Sequence, residues 1–147
     1  MLRQLLIFLT FLAMGAQAHH STTHFSEEFT EMEGTLVELR WRNPHVYFLL
    51  EVEEEDGSSR VWEMEAGTIY MIGRAGVTRD MFTEGDRIRV AGNMSTVYDD
   101  KFWLTNVLLA DGREVLVVAR GEARWTDELI GGRSQWSNVA LHEDNTN

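Results

Sequence analysis

The chain has 147 residues, 24 acidic against 13 basic side chains, a formal charge of −11 and no cysteine. That length supports one ordinary domain with a real core. Disulfides, a lipid-modified cysteine and thiolate metal sites are excluded, and the overall field would repel nucleic acid unless a local basic patch overrode it.

Met1-Leu2-Arg3-Gln4 is a short positive head, Leu5 to Met14 a mostly apolar run too short to span a bilayer comfortably, and Ala16-Gln17-Ala18 a small-residue cleavage pattern. The expectation is a leader over residues 1–18, removed before His19, leaving no transmembrane segment and a periplasmic or secreted product. An uncleaved anchor is the alternative, but His19-His20-Ser21 is neither basic nor apolar.

From Glu31 to Trp41 the apolar residues Val37, Leu39 and Trp41 alternate with Glu38, Arg40 and Arg42, the period of a half-buried strand. Asn43-Pro44 interrupts it, since proline has no N–H and keeps Asn43 out of helical geometry. Val46 to Glu53 reads as a hairpin partner, Glu54 to Ser59 as a turn, and Arg60 to Glu65 as a third strand with Trp62 and Met64 on one face. Thr68 to Ala75 carries apolar side chains at 69, 72 and 75, with Thr68 placed to cap a short helix and Gly76 to stop it. Glu84-Gly85-Asp86 launches a strand through Arg87 to Gly92. Lys101 to Leu109 is a further strand, and Val115 to Val118 a short one after the Asp111-Gly112 turn.

Three meandering strands, a small helix and two more strands is the order of the OB-fold, a five-stranded Greek-key barrel. The fold class is therefore mainly β: a small OB-fold-like barrel of five or six strands with one short helix, over residues 19–118. Its core should hold Val37, Leu39, Phe48, Leu50, Trp62, Ile88, Val90, Phe102 and Leu104. Residues 119–147 read as a C-terminal extension whose tryptophans pack on the barrel or meet a partner.

Four of the five histidines lie at two places: His19, His20 and His24 near the expected mature terminus, and His45 after Asn43-Pro44. Cleavage before His19 would give one residue an α-amine and an imidazole, two nitrogens that can chelate a transition metal. If the terminus folded back, His45 would supply a third nitrogen, with His20 or His24 assisting. Without thiolates, copper(II) or zinc is the chemistry that remains. Ser21 in third place excludes the amine-X-X-histidine chelate. The plainer reading is a polar terminus and a histidine that hydrogen-bonds a strand end. Met32, Met64 and Met71 follow apolar faces and read as core, while Glu63 and Glu65 read as a charged outer face.

A different class of function rests on Arg40, Arg42, Arg74, Arg79, Arg87 and Arg89 with Trp41, Trp62 and Tyr47. These could form a groove for an anionic cell-envelope glycan or a protein partner. A copper oxidase would need an open coordination position, which no sequence displays.

Five segments together resemble a bacterial exported family of unknown function, DUF6152: Ala18-His19-His20-Ser21, Gly34-Thr35-Leu36-Val37, Trp41-Arg42-Asn43-Pro44-His45, Trp62-Glu63-Met64-Glu65 and Gly85-Asp86-Arg87-Ile88. The resemblance covers about residues 18–117. It implies a small secreted β-barrel domain and carries over no activity, substrate or cofactor. The Trp125 to Asn147 extension departs from that family's usual short ending.

Overall fold

A computed structural model describes residues 24–135. Seven strands follow one another: β1 (Phe25–Arg40), β2 (Tyr47–Glu53), β3 (Ser59–Glu65), β4 (Arg87–Ser95), β5 (Lys101–Leu108), β6 (Glu114–Leu116) and β7 (Leu129–Gly131). The one short α-helix among the described residues, α1 (Ile69–Gly73), lies between β3 and β4. Strand order is β3-β2-β1-β4-β5-β6-β7, and a parallel pairing of β3 with β5 closes the first five into a ring. This is the OB-like order expected from the sequence, with β6 and β7 added at the edge.

The ring encloses one core. Phe48, Leu50, Met64, Val90, Phe102 and Leu104 are wholly buried, and Leu39, Trp62 and Ile88 nearly so. Thr68 caps α1 by accepting a hydrogen bond from the Met71 N–H at 3.2 Å. Ile72 from α1, then Val77 and Phe82, join the same core, with Phe82 edge-on to Phe48 at 5.0 Å.

One core assignment is corrected. Val37 is 41% exposed, and Leu36 is buried in its place. The register of β1 on β2 runs Leu36↔Leu50 and then Glu38↔Leu49, so β1 carries an extra residue at Val37. A bulge reverses the parity of everything beyond it, which puts both Leu36 and Leu39 inside. Gly34, just before it, sits where β1 switches partners: Thr35 faces both Glu51 and Arg87, and a Cβ on Gly34 would overlap the Glu51 carbonyl. Leu36→Ala is therefore expected to cost about 3 kcal/mol, and Val37→Ala less than about 0.5 kcal/mol. Urea unfolding of both variants tests the pair.

β1 is longer than its alternation suggested. Its first half, Phe25 to Glu33, is nearly all exposed or half-exposed, and pairing with β4 holds it: Phe29↔Asn93, Glu31↔Ala91, Glu33↔Arg89. Ion pairs reinforce that ladder, Arg87 with Glu33 and Arg89 with Glu31.

The extension is partly built into the sheet. β7 runs parallel to β6 through Glu114↔Leu129 and Leu116↔Gly131. The segment before it is tied down by Glu114, whose wholly buried carboxylate accepts from the N–H groups of Arg124, Trp125 and Thr126 and from Asn106 Nδ2, at 2.7–3.1 Å. Trp125 packs beneath the Arg89 guanidinium, 5.4 Å from the ring centre. Trp136 lies outside the described residues.

Candidate functional site

Successive strand side chains alternate between faces, so the core-facing Phe102, Leu104 and Met64 oblige Lys101, Trp103, Glu63 and Glu65 to face outward. Register places Tyr47, Glu65 and Trp103 in one row across β2, β3 and β5, since Tyr47 pairs with Glu65 and Glu65 with Trp103. His45 comes from the segment between β1 and β2, which contains a cis Asn43–Pro44 bond, and reaches the end of this row.

His45 is held through Nδ1. Its Nδ1 lies 3.0 Å from the Ala66 carbonyl oxygen and 3.1 Å from Glu65 Oε1. Both neighbours only accept, so Nδ1 carries the proton and the lone pair of neutral imidazole falls on Nε2. The plainer sequence reading thus holds for Nδ1, which hydrogen-bonds the end of β3. A histidine steadied in this way by a carbonyl and a carboxylate has the arrangement that orients metal-ligating histidines.

The surroundings are charged and half-buried. Burial, then the negative Glu65 and Glu63 and a hydrogen bond with Glu65, push the Tyr47 phenol above its usual pKa, so it stays protonated. Glu63 lies between two cations, Lys101 Nζ at 2.7 Å and Arg40 at 3.0 Å. Edge-on to the His45 ring, at 6.5 Å, stands Trp103, whose other neighbour is the Phe25 ring at 5.9 Å. Trp103 therefore links the start of β1 to the Asn-Pro-His segment.

Of the four histidines named as metal ligands, His45 and His24 are described, while His19 and His20 lie outside the described residues. His24 is exposed just before β1, and its carbonyl accepts from Thr96 N–H at 2.7 Å. Among the described residues no three His, Asp or Glu side chains converge as a metal-binding group.

The arginines named for a ligand groove are dispersed and mostly matched. Arg40 pairs with Glu38 and Glu63, Arg79 with Glu84, Arg87 with Glu33 and Arg89 with Glu31, while Arg74 bonds the Tyr70 hydroxyl. Trp62 is a core residue rather than a groove wall.

Sequence reasoning passed over Trp103. The signal was present, because a tryptophan alternating with core-facing Phe102 and Leu104 must lie on the outer face, where a large aromatic stands out. Glu65 was read only as surface charge. Its contact with His45 brings together residues twenty positions apart, which alternation does not reveal.

A family model described as a family of unknown function, DUF6152, matches residues 8–99. The match spans β1 to β4 and ends before β5, short of the extent suggested by the sequence motifs. No curated protein and no solved structure matches the chain.

Proposed function

The chain belongs to the DUF6152 family of unknown function, and from that premise we propose that it is an exported β-barrel protein that carries or sequesters a metal ion, preferably copper(II), otherwise zinc. The ligands in this reading are the amine and imidazole of His19, exposed by removal of residues 1–18, and Nε2 of His45, with His20 or His24 assisting.

The observation that carries it is the Phe25–Trp103–His45 chain of rings. Laid end to end, the two separations leave at most about 12 Å between the Phe25 and His45 ring centres. The six residues from His19 to Phe25 can span roughly 20 Å when extended. A terminus beginning at His19 is thus within reach of His45. A ring fixed through Nδ1 loses little freedom when Nε2 takes a metal.

The test uses protein recovered after export, with its first residue read by intact mass. Copper(II) at a hundredfold its dissociation constant stabilises a folded-state binder by about 2.7 kcal/mol, or roughly 8 °C in Tm for a domain of this size. That rise is expected for protein beginning at His19, and expected to fall by more than half in His45→Ala and in a form with one glycine before His19. A rise of equal size in all three, or none in the first, would overturn the reading.

A further inference from the structure

We propose that the free edge of β1, residues 26–33, is a docking site for an extended basic peptide segment, which adds to the sheet as one more strand. β2 pairs with β1 only from Thr35 to Arg40, whereas β4 pairs with it from Phe25 to Thr35. Residues 26–33 therefore have a neighbouring strand on one side alone. Among the described residues, the other hydrogen bonds to this backbone are local or come from β4: Glu28 N–H donates to Ser26 Oγ at 3.0 Å, and Asn93 Nδ2 donates to the Glu28 carbonyl at 3.3 Å. The opposite row of N–H and C=O groups is open, which is the template that strand addition uses.

Side chains set what fits there. From Phe29 to Glu33 the register on β4 is continuous, with Phe29, Glu31 and Glu33 exposed on the outer face and Met32 packed against the core on the other. An added strand shares that alternation, so its residues on the Met32 side should be apolar and those on the Glu31 side basic.

Charge decides between occupants. Glu33 is paired with Arg87, and Glu31 with Arg89 and Arg124. Among the described residues, Glu27 and Glu28 on the edge itself and Glu51 and Glu53 at the end of β2 have no ion pair. The segment above Phe29 adds Arg120 and Glu122, whose charges offset each other. The surplus is thus negative, in a chain of formal charge −11. A second copy is a poor match: antiparallel self-pairing centred on residues 26–33 sets Glu28 opposite Glu31 in both halves, and like charges facing across strands repel. The chain's own residues 136–147 include Glu143 and Asp144 and no lysine or arginine. An extended segment with lysine or arginine at alternate positions suits both the open backbone and the charge.

The experiment titrates the ¹⁵N-labelled protein with a blocked heptapeptide of alternating lysine and valine. Saturable shifts of the amides from Glu27 to Glu33 are expected, with Kd of about 0.1–1 mM at low salt. Binding should weaken at least threefold on raising salt to about 0.3 M, as screening shortens the reach of the acids. A double Glu27→Gln, Glu28→Gln variant should lose a similar factor with its urea midpoint unchanged. Two control peptides separate charge from strand addition: one with glutamate in place of lysine, and one N-methylated throughout, which keeps the charge and loses every ladder donor. Neither should bind measurably. Absence of saturable shifts up to about 5 mM peptide, shifts centred on the acidic turn at 54–56 instead of β1, or equal binding of the N-methylated form would overturn strand addition. Equal binding of the glutamate form would overturn the basic partner, as would a dimer, seen by sedimentation without peptide, whose formation shifts the same β1 amides.

Discussion

Glu114→Ala is expected to destabilise the protein by about 4 kcal/mol at neutral pH and to detach the segment from residue 120 to β7. The carboxylate is wholly buried and accepts from three consecutive backbone N–H groups and the Asn106 amide. The Thr126 hydroxyl, 2.6 Å from the Glu128 carbonyl, directs its proton there instead. Removing the acceptor strands several buried donors at roughly 1–3 kcal/mol each, partly relieved if the segment swings out to water. Glu114→Gln, which keeps one acceptor oxygen, should cost about half as much. Urea unfolding gives the energies, and amide exchange at Arg124, Trp125 and Thr126 reports the detachment.

The same residue makes stability depend on pH. Burial alone would raise the Glu114 pKa, but the N–H groups of Trp125 and Arg124, then Asn106 and the Thr126 N–H, hold it below the ordinary carboxylate value. A carboxyl depressed in the folded state contributes stability that is fully present above its unfolded pKa and lost as pH falls through the folded one. Acid unfolding should therefore steepen below about pH 4.5 in the wild type and be shallower in Glu114→Gln. Equal acid limbs would show that Glu114 is not the group responsible.

Gly92→Ala should rank with Glu114→Ala, costing about 3 kcal/mol or more. Gly92 lies on β4 opposite the β5 bulge, and a Cβ there would overlap the Trp103 carbonyl oxygen and come within 2.7 Å of the Phe102 ring. Phe102 is wholly buried, and the Trp103 backbone is part of the β5 ladder, so neither yields at small cost. The displaced residue would be the tryptophan that stands between Phe25 and His45. Two readouts are expected to move together: a fall in denaturation midpoint, and a change in Trp103 fluorescence in the fraction that still folds. Wild-type stability in Gly92→Ala would mean that β4 and β5 are not packed this closely.

The order of β1 to β6 and α1 was legible because most strands of the ring carry period-two alternation and the turns their own chemistry, whereas β7 lay in what reads as an extension. Trp62 and Met64 fall on one face of β3, and Thr68 caps α1, as their spacing indicates. The Val37 bulge was not legible, since an extra residue leaves the alternation of Val37, Leu39 and Trp41 intact on paper while the register underneath shifts. Leu36, which shares the parity of Glu38 and Arg40, then carries the core contact. Nor did Glu114 announce its burial: its partners are backbone N–H groups ten to twelve residues away, and no side-chain pattern encodes them. For the candidate site, clustering of histidines pointed to His45, whereas Glu65 and Trp103 became its neighbours only when β3 paired with β5.

The most direct test of the metal reading is the electron paramagnetic resonance spectrum of exported protein loaded with one equivalent of copper(II). Coupling to three nitrogens is predicted, reduced by one in His45→Ala and altered again when a glycine precedes His19. A spectrum that neither change affects would contradict a copper site built from the terminal amine and His45.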